Sequence, residues 1–353
     1  MIELGSITKC HYRRALRPGK YAHMNLTHVV VLAAFGVTLA FGGDARATIT
    51  IKIGTLAPQH SPWGNEFRKW ANVVSTDTNG EVQLDFQWNG QAGDEVLMVQ
   101  KMRSGQLDGA VITAVGLAQT GVTDVLLFQM PGLFASWDKL DNARNALKDE
   151  FNKAFEAKGF TVGGWGDVGA AKTMTVGFEV HHPADLQGKA CFFITGDAVQ
   201  PAIFSAIGGI TPKQLTVNEI LPSLGNGSIN VLVVPPLAAE QLQWASRITH
   251  VGSLTVSYGI GATIFSAARL QSVPRNLRDI LTARGNEMSA RLTASIRNID
   301  AQAYARMKDS KTAYDLSDGE KKEWSDLFAH VRSKLRGTTF TPALFDRVVQ
   351  LAE

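Results

Sequence analysis

Short strand patterns alternate with helix patterns from residue 48 onward, and this alternation restricts the fold more than any other feature. Residues 48–54 alternate polar with apolar, β-branched residues, which predicts a strand, and residues 63–78 carry apolar side chains at helical spacing. A strand at 82–88, a helix at 95–103 and a strand at 109–112 continue the pattern. Repeated β-α-β units form parallel sheets that helices cover. The sequence therefore predicts an α/β protein.

The second half of the chain continues the alternation and ends in a long helix. Further strands are predicted at residues 161–165, 190–194, 229–234, 250–256 and 262–266, and further helices at residues 139–158, 199–206, 217–224, 319–334 and 342–351. Residues 173–180 are extended and are predicted to cross into a second lobe. Pro274 opens a helix that runs to about Met307, and at 1.5 Å per residue it is roughly 45 Å long. A helix of that length is predicted to pack across both lobes.

Residues 1–47 have the pattern of a cleavable signal peptide. Five basic residues come first: Lys9, Arg13, Arg14, Arg17 and Lys20. Residues 29–41 are apolar and uncharged, and they are fewer than the roughly 20 that a membrane-spanning helix needs. Ala45 and Ala47 occupy the small-residue positions of a signal-peptidase site. We therefore expect export to the periplasm with Thr48 as the first mature residue, and translation that starts at either Met1 or Met24.

Charge and cysteine content after residue 47 limit the functional classes. Residues 1–47 hold six of the 35 Lys and Arg and two of the 32 Asp and Glu, so the remainder has a net charge of −1. The basic charge of the full chain therefore gives no support to nucleic-acid binding. Cys191 is the only cysteine after residue 47, which excludes an internal disulfide in the exported chain. About 300 residues without a disulfide must fold around hydrophobic cores, and that length favours two lobes.

No catalytic or metal-binding motif stands out. His181 and His182 are adjacent, so on a strand they face opposite sides and do not share a metal ion. The sequence has no G-x-S-x-G elbow, no P-loop and no G-x-G-x-x-G after a strand. Cys191 lies in an apolar strand, which favours an inert buried thiol over a nucleophile. We therefore predict no enzymatic activity, no cofactor and no metal.

Six phrases carry a family resemblance. They are Gly54, His60 and Gly64 after the first strand, GQAGDE at 90–95, VQKMRSGQLD at 99–108, MPGLF at 130–134, PADLQGK at 183–189 and EILPSLGNGSIN at 219–230. In their order and spacing they resemble the solute-binding proteins of tripartite ATP-independent periplasmic (TRAP) transporters, of the dicarboxylate-binding (DctP) type. The resemblance implies a small-molecule ligand, small and large membrane permease subunits as partners, and transport without ATP hydrolysis.

The resemblance also implies an architecture. It is the α/β, two-lobed fold of periplasmic binding proteins (type II-like), with the ligand cleft between the lobes and a long helix spanning both. The first predicted lobe is residues 48–172 with part of 267–353, and the second is residues 173–266, with hinge strands crossing between them. In open α/β sheets ligands bind beyond the carboxyl ends of the strands. The loops that follow the strands are therefore the expected binding elements.

The sequence departs from the family at the residues that bind carboxylates. In the family, a D-L-x-G-x-K-x-R phrase ends in an arginine that holds the ligand carboxylate, and we align Cys191 with that position. A thiol does not replace the two parallel bonds of a guanidinium. Val233 and Val234 stand where relatives often carry Glu and Asn, and near a second arginine position only Lys172 is present. These departures predict an apolar or aromatic ligand in place of a dicarboxylate.

The candidate ligand-binding residues follow from these arguments. They are His60, Trp63, Gln91, Thr113, Ala114, Trp165, Asp167, Cys191, Phe193, Gly196, Asp197, Leu215, Val233 and Val234. Most of them follow a predicted strand, and Leu215, Val233 and Val234 are expected to form an apolar wall. Trp63 and the wall residues are either ligand contacts or core residues, and the sequence leaves both readings open.

Three functional hypotheses follow. The favoured one is a periplasmic subunit that captures a small organic molecule and delivers it to a TRAP permease. The molecule is expected to be largely apolar or aromatic, and organic acids are included. The second is a periplasmic carrier of lipid-like molecules that works with an envelope complex. The third is an enzyme with two α/β lobes, for which the sequence offers no catalytic constellation.

Overall fold

The computed structural model describes residues 47–353, so the predicted signal peptide lies outside the described residues apart from Ala47. The strands are β1 Ile49–Thr55, β2 Val82–Gln87, β3 Gly109–Thr113, β4 Phe160–Thr175, β5 Ala190–Ile194, β6 Thr211–Leu215, β7 Val231–Val234, β8 His250–Ser266 and β9 Thr312–Tyr314. The helices are α1 Pro62–Asp77, α2 Glu95–Arg103, α3 Ala114–Ala118, α4 Trp137–Ala157, α5 Gln200–Ile207, α6 Val217–Gly225, α7 Pro236–Gln241, α8 Ala267–Gln271, α9 Arg275–Ser310, α10 Asp318–Leu335 and α11 Pro342–Ala352. No helix among residues 47–353 combines the length and the apolar character that a membrane span requires.

Local signals in the sequence fix where several helices begin. The side chains of Ser61, Asp94, Ser136 and Ser317 each accept a hydrogen bond from a backbone N–H in the first turn of the helix that follows. These groups satisfy donors that a helix leaves unpaired at its N-terminus. The Asp94 cap fixes the start of α2 directly after the loop that follows β2, and α2 contributes to the candidate site.

One mixed sheet organises the described part of the chain. Its strand order is β2-β1-β3-β8-β4-β7-β5-β6, and β9 pairs with β8. β1 is parallel to β2 and β3, and β5 is parallel to β6 and β7. We call β1–β3 the first parallel group and β5–β7 the second. The predicted parallel pairing is confirmed within each group, but the sheet as a whole is mixed.

Two long antiparallel strands join the groups, and this differs from the prediction of separate short strands. β4 has 16 residues and β8 has 17, and they pair with each other, while β3 pairs with β8 and β7 pairs with β4. The register between β4 and β8 shifts at several points, including Val162/Gly164 and Asp167/Gly169. Such bulges break the two-residue alternation, so one continuous strand reads as several pieces in the sequence.

The long helix α9 packs against both parallel groups, as predicted. Its 36 residues give a length of about 54 Å at 1.5 Å per residue. Met288 and Ile296 pack in one hydrophobic cluster with Ile53 of β1. Met307, near the other end of the helix, packs in a second cluster with Leu232 of β7.

A buried aspartate anchors this helix between the two groups. The carboxylate of Asp300 accepts hydrogen bonds from the backbone N–H of Ala170 in β4 and of Leu237 in α7, each at 2.9 Å. Burial raises the pKa of Asp300 to about 6. One side chain therefore connects α9 with β4 and α7.

Candidate ligand-binding site

A cavity of about 260 Å³ lies at the carboxyl ends of the parallel strands of both groups. Thr55 of β1, Thr113 of β3, Ile194 of β5 and Val234 of β7 all line it, and β4 and β8 supply the surface between them. This is where the general rule for open α/β sheets places a ligand. The described chain thus has a site walled by both parallel groups.

Most of the wall is apolar. Its apolar side chains include those of Leu56, Trp63, Phe67, Val111, Ile112, Phe192, Ile194, Ile203, Val233, Val234, Leu242, Trp244, Met288 and Leu292. Trp63 is buried and its Nε1–H donates to the carbonyl of Asp167 at 3.4 Å. That hydrogen bond fixes the plane of the indole. The ring therefore belongs to the core and to the cavity wall together, and its contact with a ligand stays a prediction.

Asp167 is the charged group most firmly held in the wall. Its side chain is fully buried, and its carboxylate accepts from Arg144 Nη1 and from Arg297 Nε, each at 2.6 Å. Asp141 bonds to the same two arginines, and their charges lower the pKa of Asp141 against the effect of burial. The Arg297 guanidinium also stacks on Trp137 at 4.4 Å. The negative charges of two carboxylates and the positive charges of two guanidinium groups therefore balance behind the wall.

Glu95, at the start of α2, brings a second carboxylate to the cavity. It is 3% exposed, and its oxygens accept from the backbone N–H and the hydroxyl of Thr113, both at 2.7 Å. Burial raises its pKa, an effect that the bonds from Thr113 and Gly116 partly offset. The sequence contained the relevant signal, because Glu95 directly follows the capping Asp94 within the GQAGDE phrase, but only the helix end was recognised.

Asp197 and Gln200 form the polar part of the opposite wall. Asp197 Oδ1 accepts from the backbone N–H of Val199 at 2.7 Å and of Gln200 at 3.3 Å, and burial raises the pKa of this carboxyl group. Gln200 Nε2 donates to the carbonyl of Val233 at 3.4 Å, which directs its Oε1 the other way. That oxygen is buried and has no hydrogen-bond partner. Sequence reasoning missed Gln200, which reads as an ordinary first-turn residue of α5.

None of the described residues that line this cavity is Lys, Arg or His. Lys172, which the sequence placed near a family arginine position, points elsewhere. Its Nζ donates to the carbonyl of Ser253 and the hydroxyl of Thr255, and it lies 4.4 Å from the ring centre of Tyr304. Burial lowers its pKa to about 8. Among residues 47–353, the cavity wall consequently contains three carboxylates and no cationic side chain.

The structure brings six of the fourteen candidate residues into this wall: Trp63, Thr113, Asp167, Asp197, Val233 and Val234. Six others lie outside it: His60, Gln91, Ala114, Trp165, Gly196 and Leu215. His60 and Gln91 are exposed, and Ala114 is fully buried in the core. The Trp165 ring packs on Phe128, Phe151 and Phe155 and donates its N–H to Asn152. A strand-end position therefore predicted the region well, but not which face each side chain takes.

The remaining two candidates, Cys191 and Phe193, require a correction. Counting the phrase D-L-x-G-x-K-x-R from Asp185 puts its final position at Phe192, one residue after Cys191. In β5 the structure agrees, since Phe192 lines the cavity while the Cys191 thiol is fully buried in the core. Burial raises the pKa of that thiol to about 12, consistent with an inert cysteine. Phe193 packs on Phe204 instead.

One hydrogen bond joins the two groups beside Asp197 of the cavity wall. Gln119, just after α3, donates from Nε2 to the carbonyl of Gly196 at 3.0 Å. Gly196 has a φ of +90°, and a Cβ there would lie 2.9 Å from the Gln119 amide and 3.0 Å from Val96. Glycine is thus required by conformation and by space. The described structure holds the cavity walls in contact at this point.

The fold and the cavity agree with a family match. The model for bacterial extracellular solute-binding protein, family 7 (DctP), matches residues 53–336. The chain belongs to this family. The resemblance proposed from the six phrases is therefore confirmed, and the family is one of transport proteins. A curated relative, a solute-binding protein of Sulfitobacter sp. strain NAS-14.1, is 23% identical over 266 residues, which are 73% of this chain and 78% of the relative.

Solved structures confirm the fold class. A TRAP periplasmic solute-binding protein from Ralstonia eutropha with bound (S)-2-acetolactate has a TM-score of 0.80 at 19% identity, covering 86% of this chain and 98% of that chain. A second, from Shewanella oneidensis with bound succinate, has a TM-score of 0.80 at 18% identity, covering 87% of this chain and 100% of that chain. The DctP-family chain thus has the two-lobed fold of the TRAP solute-binding proteins.

Proposed function

We propose that this DctP-family protein captures a small, largely apolar solute in the periplasm and delivers it to a TRAP permease. The observation that carries the proposal is the composition of the cavity wall, which is mainly aliphatic and aromatic and has no cationic residue in the described part of the chain. The similar proteins with solved structures hold organic acids, namely acetolactate and succinate. An organic anion placed in this cavity would meet the carboxylates of Glu95 and Asp197, which form no ion pair in the described structure, and this makes its transfer from water unfavourable.

The position of Phe192 supports the same conclusion. By the family phrase this is where a guanidinium would hold a ligand carboxylate, and here an aromatic ring lines the cavity. An aromatic side chain offers apolar contact area and stacking geometry, but no charge. The substitution therefore exchanges recognition of an anion for recognition of an apolar surface.

The size of the cavity favours a small solute over a lipid. Sites for drug-sized ligands usually measure about 300–1,000 Å³, and the cavity of about 260 Å³ lies below that range. A carrier of two-chain lipids needs a larger enclosed volume. Release of the solute requires the walls to separate, which breaks the Gln119–Gly196 contact.

Native mass spectrometry of protein prepared gently from the periplasm of a producing strain tests the proposal. We expect a bound, mainly apolar molecule of a few hundred daltons or less, which dissociates when the protein is denatured. Repeated recovery of a dicarboxylate or a sugar acid at full occupancy would overturn the proposed ligand class. Recovery of a phospholipid would favour the envelope-carrier hypothesis.

A further inference from the structure

Three polar groups in the cavity wall are hydrogen-bond acceptors. Glu95 and Asp197 are carboxylates on opposite walls, and the buried Gln200 Oε1 has no partner. The Thr113 hydroxyl donates to Glu95 and the Gln200 amide N–H donates to Val233, so neither of these two donors reaches the unpartnered oxygen. A buried acceptor without a partner costs free energy until a donor reaches it. A ligand with N–H or O–H groups would supply that donor.

The charges of the wall specify the kind of donor. Asp167 is neutralised by Arg144 and Arg297, so its charge is balanced before a ligand enters. Glu95 and Asp197 accept bonds only from backbone N–H groups and one hydroxyl, and neither forms an ion pair in the described structure. Enclosing a carboxylate in an apolar cavity is unfavourable unless a cation accompanies it. A cationic ligand group would provide that balance.

We infer that the physiological ligand is an amine: a small molecule with a protonated ammonium group and an apolar, preferably aromatic, body. The inference rests on the proposed function and names the ligand class for the same cavity. The ammonium group donates to Gln200 Oε1 and pairs with Asp197 and Glu95. The body of the ligand packs on Phe192 and the other apolar side chains of the wall.

Isothermal titration at pH 7 with three probes of similar shape tests this inference. The probes are 2-phenylethylamine, 2-phenylethanol and 3-phenylpropanoate, which carry a positive, a neutral and a negative head group. We expect the amine to bind at least about tenfold more tightly than the alcohol, because charge-assisted hydrogen bonds are the stronger kind. We expect no measurable binding of the carboxylate.

The outcomes separate this inference from the proposed function. If the alcohol equals or exceeds the amine, or the carboxylate binds best, the ligand class is refuted while an apolar cavity remains supported. If none of the three binds, the proposed apolar solute is refuted, and the inference falls with it.

Matched variants locate the effect in the protein. Glu95→Gln and Asp197→Asn keep acceptor oxygens for the backbone N–H groups but remove the charge, so each should reduce amine affinity by about tenfold and leave alcohol affinity almost unchanged. Asp85→Asn, at an exposed position of β2, is the control and should change neither. If a carboxylate variant fails to fold, Gln200→Met removes the unpartnered acceptor together with the amide donor to Val233, and it should weaken the binding of both the amine and the alcohol. Full amine affinity in all the folded variants would overturn the inference.

Discussion

Replacing Asp167 with asparagine removes the buried negative charge that two arginines share. The Asp167 side chain has no exposed surface, and those of Arg144 and Arg297 are 9% and 20% exposed. Removing one partner of a buried ion pair typically costs about 3–5 kcal/mol, because the remaining charge is left without compensation. Each kcal/mol lowers Tm by about 2 °C in a chain of this size, so the expected loss is about 6–10 °C.

The neighbouring Asp141 provides a matched control for this prediction. It bonds to the same two arginines, but its side chain is 29% exposed, so water can replace part of the lost interaction. We expect Asp141→Asn to lower Tm by no more than about half as much. Differential scanning calorimetry at pH 7 measures both variants. A loss for Asp167→Asn that is equal to or smaller than the loss for Asp141→Asn would refute the reasoning that burial of the shared charge stabilises this wall.

Three further predictions concern ligand charge, pH and processing. Phe192→Arg should give the cavity measurable affinity for succinate, whereas Cys191→Arg, directed into the core, should lower stability without that gain; titration calorimetry and thermal unfolding separate the two. Asp300 has a pKa of about 6 in the folded state, against an ordinary value of 3.8, so the folded state binds this proton more tightly than the unfolded state does. The free energy of unfolding should therefore fall as pH rises from about 4 to about 6. Denaturant unfolding across that range should show a weaker decline in Asp300→Asn than in the unchanged protein. N-terminal sequencing of exported protein should begin at Thr48, and an intact segment 1–47 on the exported chain would contradict the signal-peptide prediction.

The elements with strong local signals could be predicted from the sequence. Helix α2 and strand β5 have the predicted bounds, because Asp94 caps the helix and a short apolar run forms the strand. Strands β4 and β8 were predicted in pieces, since glycines and register shifts interrupt their alternation. Strand β6 was missed because its residues, TPKQL, are mostly exposed and polar.

The candidate site shows a similar limit. Strand ends located the cavity region, but the face of each side chain depends on register, and a shift of one residue reverses it. Cys191 came from an alignment one residue short of Phe192 and Phe193 from its place near the strand end, whereas the Phe192 side chain between them lies in the wall. Gln200 and Glu95 became visible only when the fold placed α5 and α2 on opposite sides of the cavity. Whether the acceptor oxygens of these two side chains face the cavity depends on tertiary contacts, which no local sequence pattern encodes.

Titration calorimetry of the purified, ligand-free protein with succinate and with sugar acids tests the central claim most directly. The claim is that this member of the DctP family recognises its solute without a cationic group in the cavity wall. Loss of a bidentate charged contact typically costs about 2–5 kcal/mol, or roughly thirty-fold or more in affinity. The account predicts no saturable heat for these anions at submillimolar concentrations. Micromolar, stoichiometric binding of any of them would contradict it.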